Sequence, residues 1–112
     1  MPVDPFREEL EYLYEYAKMG ILYFVPVWDS AEIVAGEGAS IPQVRAAALK
    51  LIGAMIDRGV EVGEISSRPD RDIERWELSK EEILRRIDEG TKERRDPLDF
   101  IYICGFRVGA DR

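Results

Sequence analysis

The chain is 112 residues long, 46% apolar and 35% charged, with one cysteine, no histidine and a formal net charge of −7. That balance describes a globular domain able to bury its own core and excludes a disordered chain, a disulfide-stapled fold and any site built on histidine. The acidity sets the chain against nucleic acid, whose phosphates it repels, and in favour of a basic partner.

Asp4-Pro5 signals a helix start, an N-cap acid followed by proline at the first helical position. Phe6, Leu10, Leu13, Tyr14 and Ala17 recur at helical spacing as one apolar stripe, and Gly20 ends the segment. A helical wheel places Glu8, Glu9, Glu11, Tyr12, Glu15 and Tyr16 on the opposite, solvent-facing arc. Ile21 to Trp28 is a dense apolar run broken by Pro26, which predicts an edge strand or an extended crossing segment. Asp29-Ser30-Ala31-Glu32 has capping-box spacing and predicts a short helix that stops at Gly36, followed by a Gly36-Glu37-Gly38 loop. Ser40-Ile41-Pro42-Gln43 is a second such box and opens the longest helix, predicted to reach Arg58 with Gly59 as its stop. Gln43, Lys50 and Asp57 form its narrow polar ridge. Val44, Ala47, Ala48, Leu51, Ile52, Met55 and Ile56 cover most of the remainder, the mark of a helix touched on several sides.

Val60 to Ile65 alternates as a strand does, Ser66 to Asp72 is a polar turn, and Ile73 to Leu78 alternates again with Trp76 and Leu78 as anchors, so 60–78 is predicted to be a hairpin. Ser79-Lys80-Glu81-Glu82 is a third capping box. It starts a helix with Ile83, Leu84 and Ile87 on one face and the pairs Glu81/Arg85 and Glu82/Arg86 four residues apart. Gly90 to Pro97 is charged and predicts a frayed helix end and a loop. Phe100 to Phe106 predicts a strand covered on both faces, with Cys104 in the core. The expectation is a single α+β domain over 1–112, with three to four helices packed on a small, mostly antiparallel sheet in the element order of a winged-helix domain. The N-terminus has no signal-peptide pattern, and no apolar stretch approaches the roughly 18 residues of a membrane span, so the expected address is the cytoplasm, away from membranes.

The charge is unevenly placed. Residues 1–41 hold eight acids (Asp4, Glu8, Glu9, Glu11, Glu15, Asp29, Glu32, Glu37) against Arg7 and Lys18, a net of −6, whereas 42–112 hold 15 acids and 14 bases. Solvation alone accounts for glutamates on a helix face; it does not account for Tyr12 and Tyr16 among them, since tyrosine is enriched at interfaces. The expected partner-binding set is therefore Glu8, Glu9, Glu11, Tyr12, Glu15, Tyr16, Asp29, Glu32 and Glu37, a single-sign field able to steer association.

Catalytic, cofactor and metal chemistry find no such pattern. No spacing among the acids specifies a hydrolytic carboxylate pair. Asp70, Asp72 and Glu74 lack the glycine and terminal glutamate of a calcium loop and alternate with Arg68, Arg71 and Arg75, as in a self-neutralising turn. Ser40 and Ser79 are caps, Ser30 lies in a capping sequence, Ser66-Ser67 in a turn, and no serine stands in a nucleophile elbow. The chain is thus expected not to be an enzyme and to need no cofactor. Its oligomeric state is not legible. The competing expectation, a winged-helix-like nucleic-acid-binding regulator, needs exposed bases on the long helix, yet Arg45 and Lys50 point in different directions.

Three stretches carry a resemblance: Ala48-Leu49-Lys50-Leu51-Ile52 running to Arg58-Gly59-Val60, then Trp76-Glu77-Leu78-Ser79 with Glu81-Glu82-Ile83, and Asp96-Pro97 before the apolar end. Through them residues 47–106 resemble part of a family of small bacterial proteins of unassigned function, which includes immunity proteins of contact-dependent growth inhibition and other polymorphic toxin systems. The resemblance implies a cytoplasmic antidote that binds a cognate toxin and blocks its active site or substrate path, with no catalytic residues to carry over. A nuclease-type toxin is basic, and an acidic face that imitates its substrate would suit its inhibitor.

Overall fold

The computed structural model describes residues 4–70, 73–93 and 103–108. In chain order the elements are α1 (Pro5–Met19), β1 (Leu22–Tyr23), α2 (Phe24–Ala35), α3 (Ile41–Asp57), β2 (Val60–Ile65), β3 (Ile73–Arg75), α4 (Lys80–Glu93) and β4 (Gly105–Val108). Among the described residues, four helices pack on one antiparallel sheet of order β1-β4-β2-β3, so the expected α+β class holds. The order of elements through β3 is the winged-helix order. The sheet differs, because β4 lies between β1 and the β2–β3 hairpin.

Side-chain caps fix three of the helix starts. The Phe6 N–H donates to the Asp4 carboxylate at 3.0 Å. At α3 the Gln43 N–H donates to Ser40 Oγ at 3.3 Å while the Ser40 N–H donates to Gln43 Oε1 at 2.7 Å, the reciprocal arrangement the sequence predicts. The Glu82 N–H donates to Ser79 Oγ at 3.2 Å at the start of α4. Gly59, at φ 96°, turns the chain from α3 into β2 in the left-handed conformation that glycine adopts without a Cβ clash.

The core forms where these amphipathic faces meet. Leu13 and Ala17 of α1 are buried, with Phe6, Leu10 and Tyr14 packed beside them. Helix α3 touches all three other helices and β2, and buries Val44, Ala47, Ala48, Leu51, Ile52 and Met55. It is the central helix that its wide apolar arc requires. In the middle of the sheet Phe106 is fully buried and packs at 6.1 Å from Phe24. Gly63 of β2 faces Gly105 of β4, and a Cβ at Gly63 would stand 2.1 Å from the Glu74 carbonyl oxygen, so this approach of β2 to β3 admits no side chain.

Several local expectations are corrected. The strand over Ile21–Trp28 shrinks to Leu22–Tyr23, and α2 begins at Phe24 rather than after Asp29. Pro26 is the third residue of that helix, where its missing N–H is one of the first-turn donors without a helical partner in any case. Phe24, Val27, Trp28 and Ala31, all buried, carry the helical period through the proline. The capping-box spacing of Asp29 to Glu32 is therefore mid-helix, and Ser30 uses its hydroxyl on α1 instead.

On α4 the predicted neighbours do not pair. Arg85 faces Glu89 at 3.9 Å, and Arg86 crosses to Glu64 on β2 at 3.2 Å with its guanidinium 4.2 Å over the Trp76 ring. The aromatic face outcompetes an exposed i,i+4 ion pair worth only roughly 0.3–0.5 kcal/mol. The second hairpin strand ends at Arg75, although the Trp76 N–H still reaches the Val62 carbonyl at 2.9 Å. Within the described part of the predicted final strand, buried Ile103 and Cys104 are not strand, and β4 runs Gly105–Val108. Arg71, Asp72 and 94–102, which include parts of the predicted turn, loop and last strand, lie outside the described residues. No helix among the described residues is long and apolar enough to cross a membrane.

Candidate functional site

Helices α1 and α2 lie side by side, and their apolar faces point into the core. That orientation leaves Glu8, Glu9, Tyr12 and Tyr16 of α1 opposite Pro26, Asp29, Ser30 and Ile33 of α2 across an open groove of about 610 Å³. The i, i+4, i+8 spacing of Glu8, Tyr12 and Tyr16 puts these side chains in one row along the helix. Tyr12 and Tyr16 meet edge to face, with ring centroids 6.1 Å apart and planes at 73°. They remain 52% and 37% exposed, and Ile33 across from them is 57% exposed, so both walls of the groove keep apolar area in contact with water.

The two helices are also joined inside the groove. The Ser30 hydroxyl, 1% exposed, donates to Glu9 Oε1 at 2.7 Å. Glu9 is therefore half-buried and held, not swinging freely in solvent as the wheel places it.

Of the nine residues expected to bind a partner, Glu8, Glu9, Tyr12, Tyr16 and Asp29 converge here. Glu11 goes elsewhere and forms an ion pair with Arg58 at the end of α3, whose guanidinium also lies 5.1 Å over the Tyr14 ring. The hydrogen bond from Arg58 holds the Glu11 carboxyl below the usual carboxylate range, and the same bond raises Arg58. Glu15 pairs with Lys18 at 3.4 Å. Glu32 on α2 and Glu37 in the following loop are exposed and do not line the groove. Pro26, Ser30 and Ile33 are the groove residues that sequence reasoning missed. The 24/27/28/31 period would have found the helix that carries them, because it turns positions 26, 29 and 33 away from the core.

The electrostatics of this groove differ from the rest of the surface. Among the described residues its lining contains three carboxylates and neither lysine nor arginine, and Glu8, Glu9 and Asp29 take part in no ion pair. Elsewhere several acids are paired with bases: Arg45 with Asp88 at 3.0 Å, Lys80 with Asp57 at 2.9 Å, Arg68 with Asp70 at 3.4 Å. A second groove of about 450 Å³ between α3 and α4 contains the Lys80–Asp57 pair and so presents no net field of one sign. Among the described residues, the acidic groove thus combines unpaired charge with exposed aromatic area.

No group of three or more histidine, cysteine or acidic side chains among the described residues is placed to hold a metal ion. Cys104 is fully buried, and burial pushes its thiol up, away from the reactive thiolate.

No protein-family model matches the chain, and no curated protein or solved structure matches it.

Proposed function

We propose that this protein is a non-enzymatic binding protein of the immunity type, whose α1–α2 groove docks a basic toxin domain of nuclease class and blocks its active site or substrate path in the cytoplasm. The observation that carries the reading is the convergence of Glu8, Glu9, Tyr12, Tyr16 and Asp29 on one groove without a basic side chain. Unpaired acids of one sign raise the encounter rate with a basic surface. Tyrosines half-exposed at the centre lose their remaining water on docking and slow dissociation. The resemblance of residues 47–106 to immunity proteins points the same way, although the described residues of that stretch do not line the groove.

The alternative, a nucleic-acid-binding regulator, gains nothing specific from the arrangement of bases. Arg45 of α3 is held by Asp88 on α4, and Arg68 in the hairpin turn by Asp70. The reading is tested by titrating the purified protein with the product of the adjacent gene in a calorimeter, at low and raised salt. A stoichiometric complex that weakens with salt and inhibits that product's nuclease activity supports it. Absence of a complex, together with measurable affinity for duplex DNA, would replace it with the alternative.

A further inference from the structure

We propose that the α1–α2 groove is specific for arginine over lysine: a guanidinium of the partner lies against the Tyr12–Tyr16 pair and donates to the Glu9 carboxylate that Ser30 holds in place. The inference rests on the docking role proposed above and names the chemistry of the occupant. Three features of the groove combine to favour a planar cation. First, the bond from Ser30 Oγ occupies one lone pair of Glu9 Oε1 and fixes the carboxylate, leaving Oε2 and the remaining lone pairs as acceptors of set direction. A fixed, planar acceptor suits the rigid fork of a guanidinium, which donates two parallel bonds, better than the point charge of an ammonium.

Second, the edge-to-face tyrosines present an aromatic face on the same wall of the groove, one and two turns along α1 from Glu8 and adjoining Glu9. Guanidinium stacks on such a face and gives up its hydration more readily than ammonium does. Third, the apolar side chains of Ile33 and Pro26 on the α2 wall offer contact for an aliphatic stem, and a space of about 610 Å³ exceeds what one guanidinium fills. Glu8 and Asp29 add charge that attracts either cation. Selectivity therefore resides in Glu9, Ser30 and the two rings.

The test compares an oligoarginine and an oligolysine peptide of equal length, titrated calorimetrically into the full chain at low salt, with amide and ring shifts of Tyr12 and Tyr16 followed by NMR. The arginine peptide is expected to bind tighter by roughly tenfold, the equivalent of one charge-assisted hydrogen bond. Ser30→Ala and Glu9→Gln should each bring the two affinities towards parity, costing the arginine peptide clearly more than the lysine peptide. Glu9→Gln retains an acceptor for Ser30, so its result stands even if Ser30→Ala loosens α2 from α1. Equal affinities with shifts at both tyrosines would overturn arginine selectivity and leave the docking role intact. Binding of neither peptide would overturn the docking role as well.

Discussion

The Ser30 hydroxyl donates to the Glu9 carboxylate at 2.7 Å, joining the middle of α2 to the second turn of α1. This bond turns two amphipathic helices into two walls of one groove. A serine that the sequence presents as part of a helix start is instead the buried polar contact that sets the spacing of the site.

Loss of that contact has a predictable stability cost. Ser30→Ala removes the donor while leaving Glu9 access to water at the groove surface, so the expected loss is about 1.5 kcal/mol, the low end for a charge-assisted bond. Urea unfolding measures it, and a neutral substitution would show that the bond contributes nothing to the α1–α2 contact.

The two central glycines of the sheet should differ sharply. A Cβ at Gly63 would meet backbone, the Glu74 carbonyl oxygen at 2.1 Å and the Arg75 Cα at 2.7 Å. Gly63→Ala must therefore pry β3 from β2, at a cost of roughly 3 kcal/mol or more. At Gly105 the nearest atoms are side-chain methyls, Ile21 Cδ1 at 3.1 Å and Ile73 Cγ2 at 3.2 Å, which can yield. Gly105→Ala should cost clearly less. Equal costs in denaturant unfolding would contradict this packing.

Glu11 and Arg58 give a pH signature. The folded state holds the Glu11 carboxyl below its ordinary value, chiefly through the Arg58 hydrogen bond. Its contribution is therefore complete above the unfolded-state value and is lost as pH falls through the folded one. Because the pair is exposed, the effect is small and screened by salt. The melting-temperature difference between the wild type and Glu11→Gln should close as the solution is acidified, and a difference constant with pH would rule the pair out as a contributor.

Cys104 has the opposite sense. Burial raises its thiol above the ordinary value of 9.0, so the folded chain retains a proton that the unfolded chain releases. Stability present below that value then falls with rising pH, by about 1.4 kcal/mol per unit for one proton. Cys104→Ala should remove this component of the alkaline slope. In the native protein a thiol reagent should label Cys104 only at the rate of unfolding; rapid labelling of folded chains would mean the residue is accessible.

How much of this was legible beforehand depends on where each signal lies. Local chemistry was readable: Asp4, Ser40 and Ser79 cap helices because the carboxylate or hydroxyl acts on backbone within three residues. The hairpin was readable for the same reason, since alternation and a polar turn are short-range. Helix α2 was misjudged because Pro26 was weighed as a breaker, and a first-turn proline breaks nothing. The destinations of Ser30, Glu11 and Arg86 were not readable at all. Each is bonded to a residue more than twenty positions away, Ser30 to Glu9, Glu11 to Arg58 and Arg86 to Glu64, and a helical wheel carries no information about the neighbouring element. The row of Glu8, Tyr12 and Tyr16 was found because one helix contains it, whereas Ile33 and Pro26 entered the site only with the packing of α2.

The central claim, that the α1–α2 groove is the docking face, is tested most directly by stopped-flow kinetics with the product of the adjacent gene. The account predicts that Glu8→Lys with Asp29→Lys slows association in proportion to how little salt is present, and that Tyr12→Ala or Tyr16→Ala raises the dissociation rate at unchanged association. Glu11→Gln, outside the groove, should change neither rate appreciably. Groove variants that associate and dissociate like the wild type, with a complex still formed, would place the interface elsewhere and contradict the account.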